Sequence, residues 1–341
     1  MTKICVIGAG WYGCHIGISL KALGFDVTVF EKNSQILSGA SGNNQFRLHM
    51  GFHYPRHHNT RIQSRDGFIR FMDRYPDLSR EIPDNFYGVS HDESLMDFLT
   101  YRLVMTSSGL AFRETRDAHG LRGVDGVLAV DERVLLTEHA RRFFTDRLGN
   151  SLAPDMAVGS VVPRGARVEV NGELFDWVVD ASWATSGFGT PPVPVYYEPT
   201  MLLYYEAEGP QPAVTLVDGP LCSVYPTENP GLYTLSSVPH TPLGRSSNAA
   251  EAISIRENVG KELVAAKRQA MEDQITRYLP DFRDRFRFVG PQLSLKTKPM
   301  GDFDDRSCYV FRPHERIFTV LSGKIDTIFF ALDKIISELS T

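Results

Sequence analysis

The sequence predicts a mixed α/β (α+β) fold in two parts, one built on a parallel sheet and the other mainly antiparallel. Three observations carry this reading. The chain opens on a strand, a glycine turn, a helix and a second strand, all within its first 31 residues. Prolines and aromatic runs crowd residues 187–250, the pattern of short strands joined by turns. A strand at Ile317–Leu321 then leads into an amphipathic helix running from Lys324 to the end of the chain.

At 341 residues the chain is longer than a usual single domain, so one large or two interleaved domains are expected. A formal charge of −5 gives no support for nucleic-acid binding, which calls for a basic field. Cys5, Cys14, Cys222 and Cys308 form no CxxC pair, which argues against a zinc site or a redox dithiol and suits a reducing compartment. Met-Thr-Lys runs straight into a strand, and no stretch approaches the roughly 18 apolar residues of a membrane span. A cytoplasmic location without a membrane span is expected.

Residues 3–7 read as a strand, followed by a helix to Leu23 that Gly24 ends, and Asp26–Phe30 is a second strand. Residues 33–59 are polar, glycine-rich and without periodicity. A helix is expected over 60–75, then strands at 85–90 and 111–115 around a helix near 93–108. Val127–Val130 reads as a strand and 133–147 as a helix. Asn171-Gly172 inside 161–179 marks a hairpin. Strands follow at Met201–Glu206, Ser223–Tyr225 and Leu232–Ser236, then one long helix over 249–279 stopped by Pro280. The last helix carries Ile325, Ile328, Phe329, Leu332, Ile335, Ile336 and Leu339 on one face.

Gly8-Ala9-Gly10-Trp11-Tyr12-Gly13 lies between the first strand and the first helix, and Glu31 ends the next strand. Gly8 permits the tight turn, Gly10 lets a pyrophosphate approach the backbone, and Gly13 allows close helix–strand packing. The helix N-terminus offers free N–H groups to phosphate, and the acid takes ribose hydroxyls. A dinucleotide site follows from the order of all these parts, since GxGxxG alone is weak.

The run VIGAGWYGCHIGISLKALGFDVTVFEK resembles the FAD-binding opening of the D-amino-acid oxidase, glycine oxidase and sarcosine oxidase superfamily. Ser38–Asn44 with Gly51-Phe52-His53-Tyr54, Val178–Ala184, and Val320–Lys324 are similar to its other flavin-facing segments. Lys298-Pro299 stands where that superfamily has an arginine–proline pair. The resemblance implies a Rossmann-like FAD-binding domain of discontinuous segments, 1–84, 126–186 and 300–341, with a mainly antiparallel substrate domain from 85–125 and 187–299. It also implies cofactor contacts from Gly8, Gly10, Trp11, Tyr12, Gly13, Glu31 and Lys32. Further contacts are implied from Ser41, Asn43, Asn44, Arg47 and Leu48, from Ala181 and Ser182, and from Ser322, Gly323, Lys324 and Ile325.

The densest cationic stretch contains Arg47, His49, His53, Arg56, His57 and His58. Arg47, His49 and His53 are candidates to hold a substrate anion or face the flavin, against a solvated loop as the alternative; for His57 and His58 the solvated face is favoured. No carboxylate or cysteine shares this cluster at ligand spacing, so no metal is expected. Lys324 at the start of the last helix is a catalytic candidate, because a cation there stabilises negative charge on a reduced flavin. A surface lysine is the alternative. His49 and Tyr225 complete the catalytic candidates, and Arg47, His49, His53, Tyr225 and Lys298 are the substrate candidates. Trp11 and Tyr12 are expected over the cofactor or against the C-terminal segment.

The implied activity is dehydrogenation of a C–N bond in a small amine or amino acid, or a C–O bond in a hydroxy acid. The substrate would be a small molecule with an anionic group, and oxygen or another acceptor would take the electrons. The alternatives are a non-redox flavoenzyme such as a sugar-nucleotide mutase, a nicotinamide-dependent dehydrogenase, and a flavin-binding sensor.

Overall fold

The computed structural model describes residues 1–188, 193–301 and 305–339. Its first sheet has six strands, in the order Tyr309–His314, Ile317–Leu321, Trp177–Asp180, Lys3–Ile7, Asp26–Phe30 and Leu152–Ala153. All neighbours run parallel except the edge strand Tyr309–His314. Parallel strands need both faces covered, and Lys3–Ile7 is accordingly a nearly unbroken buried run. The helix Trp11–Ala22 packs on this sheet with residues 13–20 all buried, between the helices Thr137–Leu148 and Ile328–Leu339.

The second sheet has eight strands. Phe286–Pro299, Val195–Ala207, Leu232–Ser237, Cys222–Pro226 and Ala213–Val217 lie side by side, then Asn85–Ser90, Val124–Ala129 and Arg113–Thr115. All pairs are antiparallel except Ala213–Val217 with Asn85–Ser90. Val124–Ala129 pairs with Asn85–Ser90, so residues 126–129 belong to this sheet and not to the first, where the sequence reading had put them.

Several elements differ from expectation for physical reasons. Arg133–Leu135, expected in a helix, is a strand held between Arg47–Leu48 and Ser79–Glu81, and the helix starts only at Thr137. Pairing on both sides outweighs the local helical pattern. The long helix over 249–279 is two, Ala249–Glu257 and Lys261–Thr276, interrupted where Asn258 and Gly260 weaken the run. Asn171 and Gly172 turn the hairpin with φ of 50° and 86°, as a two-residue primed turn requires. That hairpin gains Val161–Arg164 as a third strand, while Trp177–Asp180 leaves it for the parallel sheet. The final helix begins at Ile328, after a short 3-10 turn over Ile325–Thr327, and is described to Leu339; residues 340–341 lie outside the described ones. Among the described residues no helix is long and apolar enough to cross a membrane.

Two buried contacts lock the last turn to the rest. Gly67, in the helix His58–Arg74, lies so close to the Asp326 carbonyl oxygen that an added Cβ would sit 1.9 Å from it. His15, in the first helix, hydrogen-bonds through Nδ1 to the Tyr75 hydroxyl at 2.6 Å and meets the Phe329 ring edge-on. Burial, helped by Arg74 and Arg70, pushes its imidazole down to about 3.

Gly67→Ala should cost about 1–3 kcal/mol in denaturant unfolding, because backbone must move to admit the methyl group. Unchanged stability would contradict the tight docking of the Asp326 turn. His15 gives a pH test. Its folded value lies below the unfolded value of about 6.5, so its contribution is full above that pH and erodes as pH falls toward about 3. The stability advantage of the parent over His15→Gln should therefore shrink by up to about 1.4 kcal/mol per pH unit below ~6.5. A constant difference across that window would mean that His15 is protonated in the folded protein.

Candidate active site

A cavity of about 920 Å³ opens between the two sheets. One wall is the glycine loop. Gly8 has φ of 93° and backs onto the Ala181 carbonyl, and a Cβ on Gly13 would lie 1.8 Å from the Gly8 oxygen. Gly13 thus does not line the cavity; it lets the helix press against the back of the loop. Gly10 and the backbone N–H of Trp11 approach Ser41 Oγ, the latter at 3.2 Å. The Glu31 carboxylate ties this wall together, accepting from the Ala9 N–H at 2.8 Å and from Asn33 Nδ2 at 2.7 Å.

The expected cofactor contacts mostly meet here. Gly8, Gly10, Glu31 and Lys32 line the cavity, with Ser41, Asn43 and Asn44 beside them. Ala181 and Ser182, next to Gly8, and Ser322–Ile325 also line it. Leu48 does not reach it: alternation along its strand sends Arg47 into the cavity and leaves Leu48 fully buried in the core. The Trp11 side chain is buried edge-on against Phe144 and tilted on Phe71, so it anchors the helix. The Tyr12 hydroxyl donates to the Lys324 carbonyl at 2.6 Å, which ties the glycine loop to the C-terminal segment.

Lys324 is only 4% exposed, which removes the surface-lysine reading. Its ammonium sits 4.2 Å from the centre of the Tyr54 ring and 3.5 Å from Asp326 Oδ2, with no hydrogen-bond partner among the described residues. Burial raises the Asp326 carboxyl, and Lys324 opposes that rise. Arg47 is a buried guanidinium stacked 4.0 Å above the Tyr225 ring. It donates through Nη1 to Thr215 Oγ1 at 2.6 Å, while Nε and Nη2 are buried without a hydrogen-bond partner among the described residues. Tyr225 itself is fully buried and does not line the cavity; it donates to the Arg133 carbonyl and forms a platform for Arg47.

His49 and His53 both line the cavity, their rings 5.9 Å apart. Burial, with Lys324 and Arg47 nearby, drives the His49 imidazole well below its ordinary value. Burial and Arg47 push His53 down to about 3. Both rings are neutral near pH 7. His57 instead accepts the Thr60 N–H as a helix cap, and His58 is exposed. Lys298 lines the cavity but is ion-paired with Glu198, whose other oxygen lies 3.5 Å from Arg245.

Sequence reasoning missed Lys296 and Glu132, and it placed Trp183 in a flavin-facing segment without naming it as a site residue. Lys296 shares the cavity face of its strand with Lys298, and burial with the neighbouring Lys298 charge lowers it to about 8. The alternation of Leu293-Ser294-Leu295-Lys296-Thr297-Lys298 carried that signal. Glu132 has no local signal and is placed by long-range pairing. Trp183 and Ala184 hold left-handed φ of 61° and 57° beside the cavity, with the Trp183 ring packed on Gly323. Among the described residues no group of three or more His, Cys, Asp or Glu is placed to hold a metal ion.

These residues fit FAD. The glycine loop leaves room for a backbone-close pyrophosphate, Glu31 would meet the ribose hydroxyls, and Lys324 would bring a buried cation to the cofactor. The family model for FAD dependent oxidoreductases matches residues 3–292. The chain is 54% identical to the FAD-dependent monooxygenase FPY4 of Fusarium mangiferae, over 97% of this chain and 89% of that protein. It is 26% identical to the FAD-dependent monooxygenase kojA of Aspergillus flavus, over 98% of this chain and 85% of that protein. Among solved structures, glycine oxidase from Geobacillus kaustophilus superposes with a TM-score of 0.73 at 14% identity, over 100% of this chain and 95% of that one. FAD-bound L-alpha-glycerophosphate oxidase from Mycoplasma pneumoniae gives 0.76 at 11% identity, over 100% and 96%. The breadth of the family match and the identity to FPY4 place this chain in the FAD-dependent oxidoreductase family.

Proposed function

We propose that the enzyme dehydrogenates a C–N bond of a small amine or amino acid, or the C–O bond of a hydroxy acid, in a substrate carrying an anionic group. The observation that carries this reading is Arg47: a buried guanidinium facing the cavity with two donors unpartnered and stacked on Tyr225. An unpaired buried guanidinium is costly unless something anionic completes it, and its planar fork suits a carboxylate. Bound FAD supplies the acceptor for the substrate's hydride and its electron pair. The chain's residues do the rest. Arg47 holds the anionic group, and the neutral His49 takes the proton that leaves the substrate's nitrogen or oxygen as the double bond forms. Lys324, buried on the cavity wall, would stabilise negative charge that the cofactor gains.

A second reading is oxygenation of the substrate, favoured by the name of the 54% identical relative, an FAD-dependent monooxygenase. The two differ in electron balance. Dehydrogenation bleaches the FAD-loaded protein anaerobically with substrate alone. Oxygenation needs an added nicotinamide reductant and places one atom of labelled dioxygen in the product.

Two outcomes are expected. Anaerobic bleaching by a panel of amino acids, amines and hydroxy acids should reveal a substrate whose KM rises about tenfold or more in Arg47→Ala, at unchanged FAD content; a charged hydrogen bond of ~1.5–3 kcal/mol sets that scale. Arg47→Lys should restore little, since lysine lacks the fork. An unchanged KM would remove Arg47 from substrate binding. For Lys324→Met, FAD occupancy should stay near normal while sulfite binds more weakly and the flavin's two-electron potential falls. Identical sulfite titrations in the two proteins would refute an electrostatic role for Lys324.

A further inference from the structure

We infer that Glu132 is a positioning residue for His49, fixing which ring nitrogen carries the proton. Glu132 follows the strand Val124–Ala129 and is fully buried, off the cavity but directly behind it. Its two oxygens are held in place from opposite sides. Oε1 accepts the Met50 N–H at 2.7 Å, and Oε2 accepts the Tyr87 hydroxyl at 2.7 Å. A carboxylate offers about four acceptor positions, so lone pairs remain. His49 Nδ1 lies 3.9 Å from Oε1 and, among the described residues, is itself buried with no hydrogen-bond partner. Glu132 Oε1 is thus an acceptor within reach of a small turn of the ring.

The tautomer follows from this arrangement. With the proton on Nδ1, the ring presents N–H to the carboxylate, and the Nε2 lone pair is free to take a proton. With the proton on Nε2, the Nδ1 lone pair would face the carboxylate and be repelled by it. Glu132 therefore selects the form of His49 that can act as a base.

The surrounding charges are consistent with Glu132 as the compensating anion. Burial raises its carboxyl, while the Met50 N–H, the Tyr87 hydroxyl, Arg47 and Lys324 all favour the ionised form. Burial pushes the Tyr101 and Tyr225 hydroxyls up, and the Glu132 carboxylate adds to that rise. His49 faces Lys324, Arg47 and His53, all of which disfavour its protonation, so Glu132 is the one acidic group drawn toward it among the described contacts.

The role of the tautomer in turnover rests on the function proposed above, but the tautomer itself does not. The test is long-range proton–nitrogen NMR of the FAD-loaded protein labelled at histidine nitrogen, with the His49 signals assigned by their loss in His49→Asn. The parent should show His49 protonated at Nδ1 and bare at Nε2 from about pH 6 to pH 9. In Glu132→Gln the Met50 N–H would hold the amide oxygen at the Oε1 position, so an acceptor would still face Nδ1. Glu132→Met leaves no acceptor there, so the Nε2–H form should appear. Glu132→Asp keeps the charge, serves if the methionine variant does not fold, and should retain the Nδ1–H form at least in part. An Nε2–H parent, or a methionine variant with the parent's tautomer, would overturn the assignment. Once a substrate is in hand, Glu132→Met should lower kcat by roughly 10²–10⁴-fold, the span of acid–base catalysis, with little change in KM. If the NMR result holds and His49→Asn turns over normally, the base role of His49 fails while its positioning by Glu132 stands.

Discussion

The contact between Gly13 and the Gly8 carbonyl is the constraint on which the site depends. The 1.8 Å separation that a Cβ would have leaves no side chain possible there, so the first helix can seat directly against the glycine loop. That seating aims the helix N-terminus and its free N–H groups at the cavity. Two side chains of the same helix then fix what surrounds it. Trp11 is gripped by Phe71 and Phe144, and Tyr12 reaches across 312 positions of sequence to the Lys324 carbonyl. One close backbone approach thereby sets the geometry of both ends of the pocket.

Charge in the pocket is arranged by depth. Arg47, Lys296, Lys298 and Lys324 line the cavity, whereas Glu132 and Asp326 sit behind it in the core. Burying a cation costs several kcal/mol unless an anion compensates, and the rear carboxylates do so without facing the ligand. Acidic groups on the cavity wall are engaged locally: Glu31 accepts from the Ala9 N–H and Asn33, Asp218 pairs with Arg56, and Glu198 ties up Lys298 and Arg245. The arginine–proline pair of the resembling superfamily has no counterpart in strength here, and Arg47 is the guanidinium with donors to spare.

How much of this was legible depended on whether the cause was local. Gly8, Gly10, Gly13 and Glu31 declare themselves because a turn, a close approach and an acid at fixed spacing have local signatures. Arg47 was legible as a candidate and Leu48 should have been excluded, because adjacent strand residues face opposite ways. Tyr225 could not be resolved from sequence. Its strand is buried on both faces, so alternation does not say whether the ring meets the ligand or the arginine above it. Arg133–Leu135 and Glu132 were beyond reach for one reason. Their conformation and burial come from strands near residues 47, 79 and 87, and no local pattern encodes those partners.

The strained turn at Trp183–Ala184 shows how the two sheets are kept in register around the pocket. Two consecutive left-handed residues with side chains cost about 1–3 kcal/mol each, so the fold must hold them from outside. It does so from the antiparallel sheet: Thr297 Oγ1 donates to the Trp183 carbonyl at 2.7 Å, and the Tyr197 hydroxyl donates to the Ala184 carbonyl at 2.6 Å. The Trp183 ring meanwhile presses on Gly323, one residue before Lys324. Thr297 lies between Lys296 and Lys298, so the strand that carries the two cavity lysines is pinned to the turn beside the cofactor wall. The distance between the lysines and Lys324 is therefore set by backbone contacts and not by the flexible lysine stems. Cations held by rigid elements need little reorganisation as charge develops, and that is the condition under which buried charges act most strongly on a reaction.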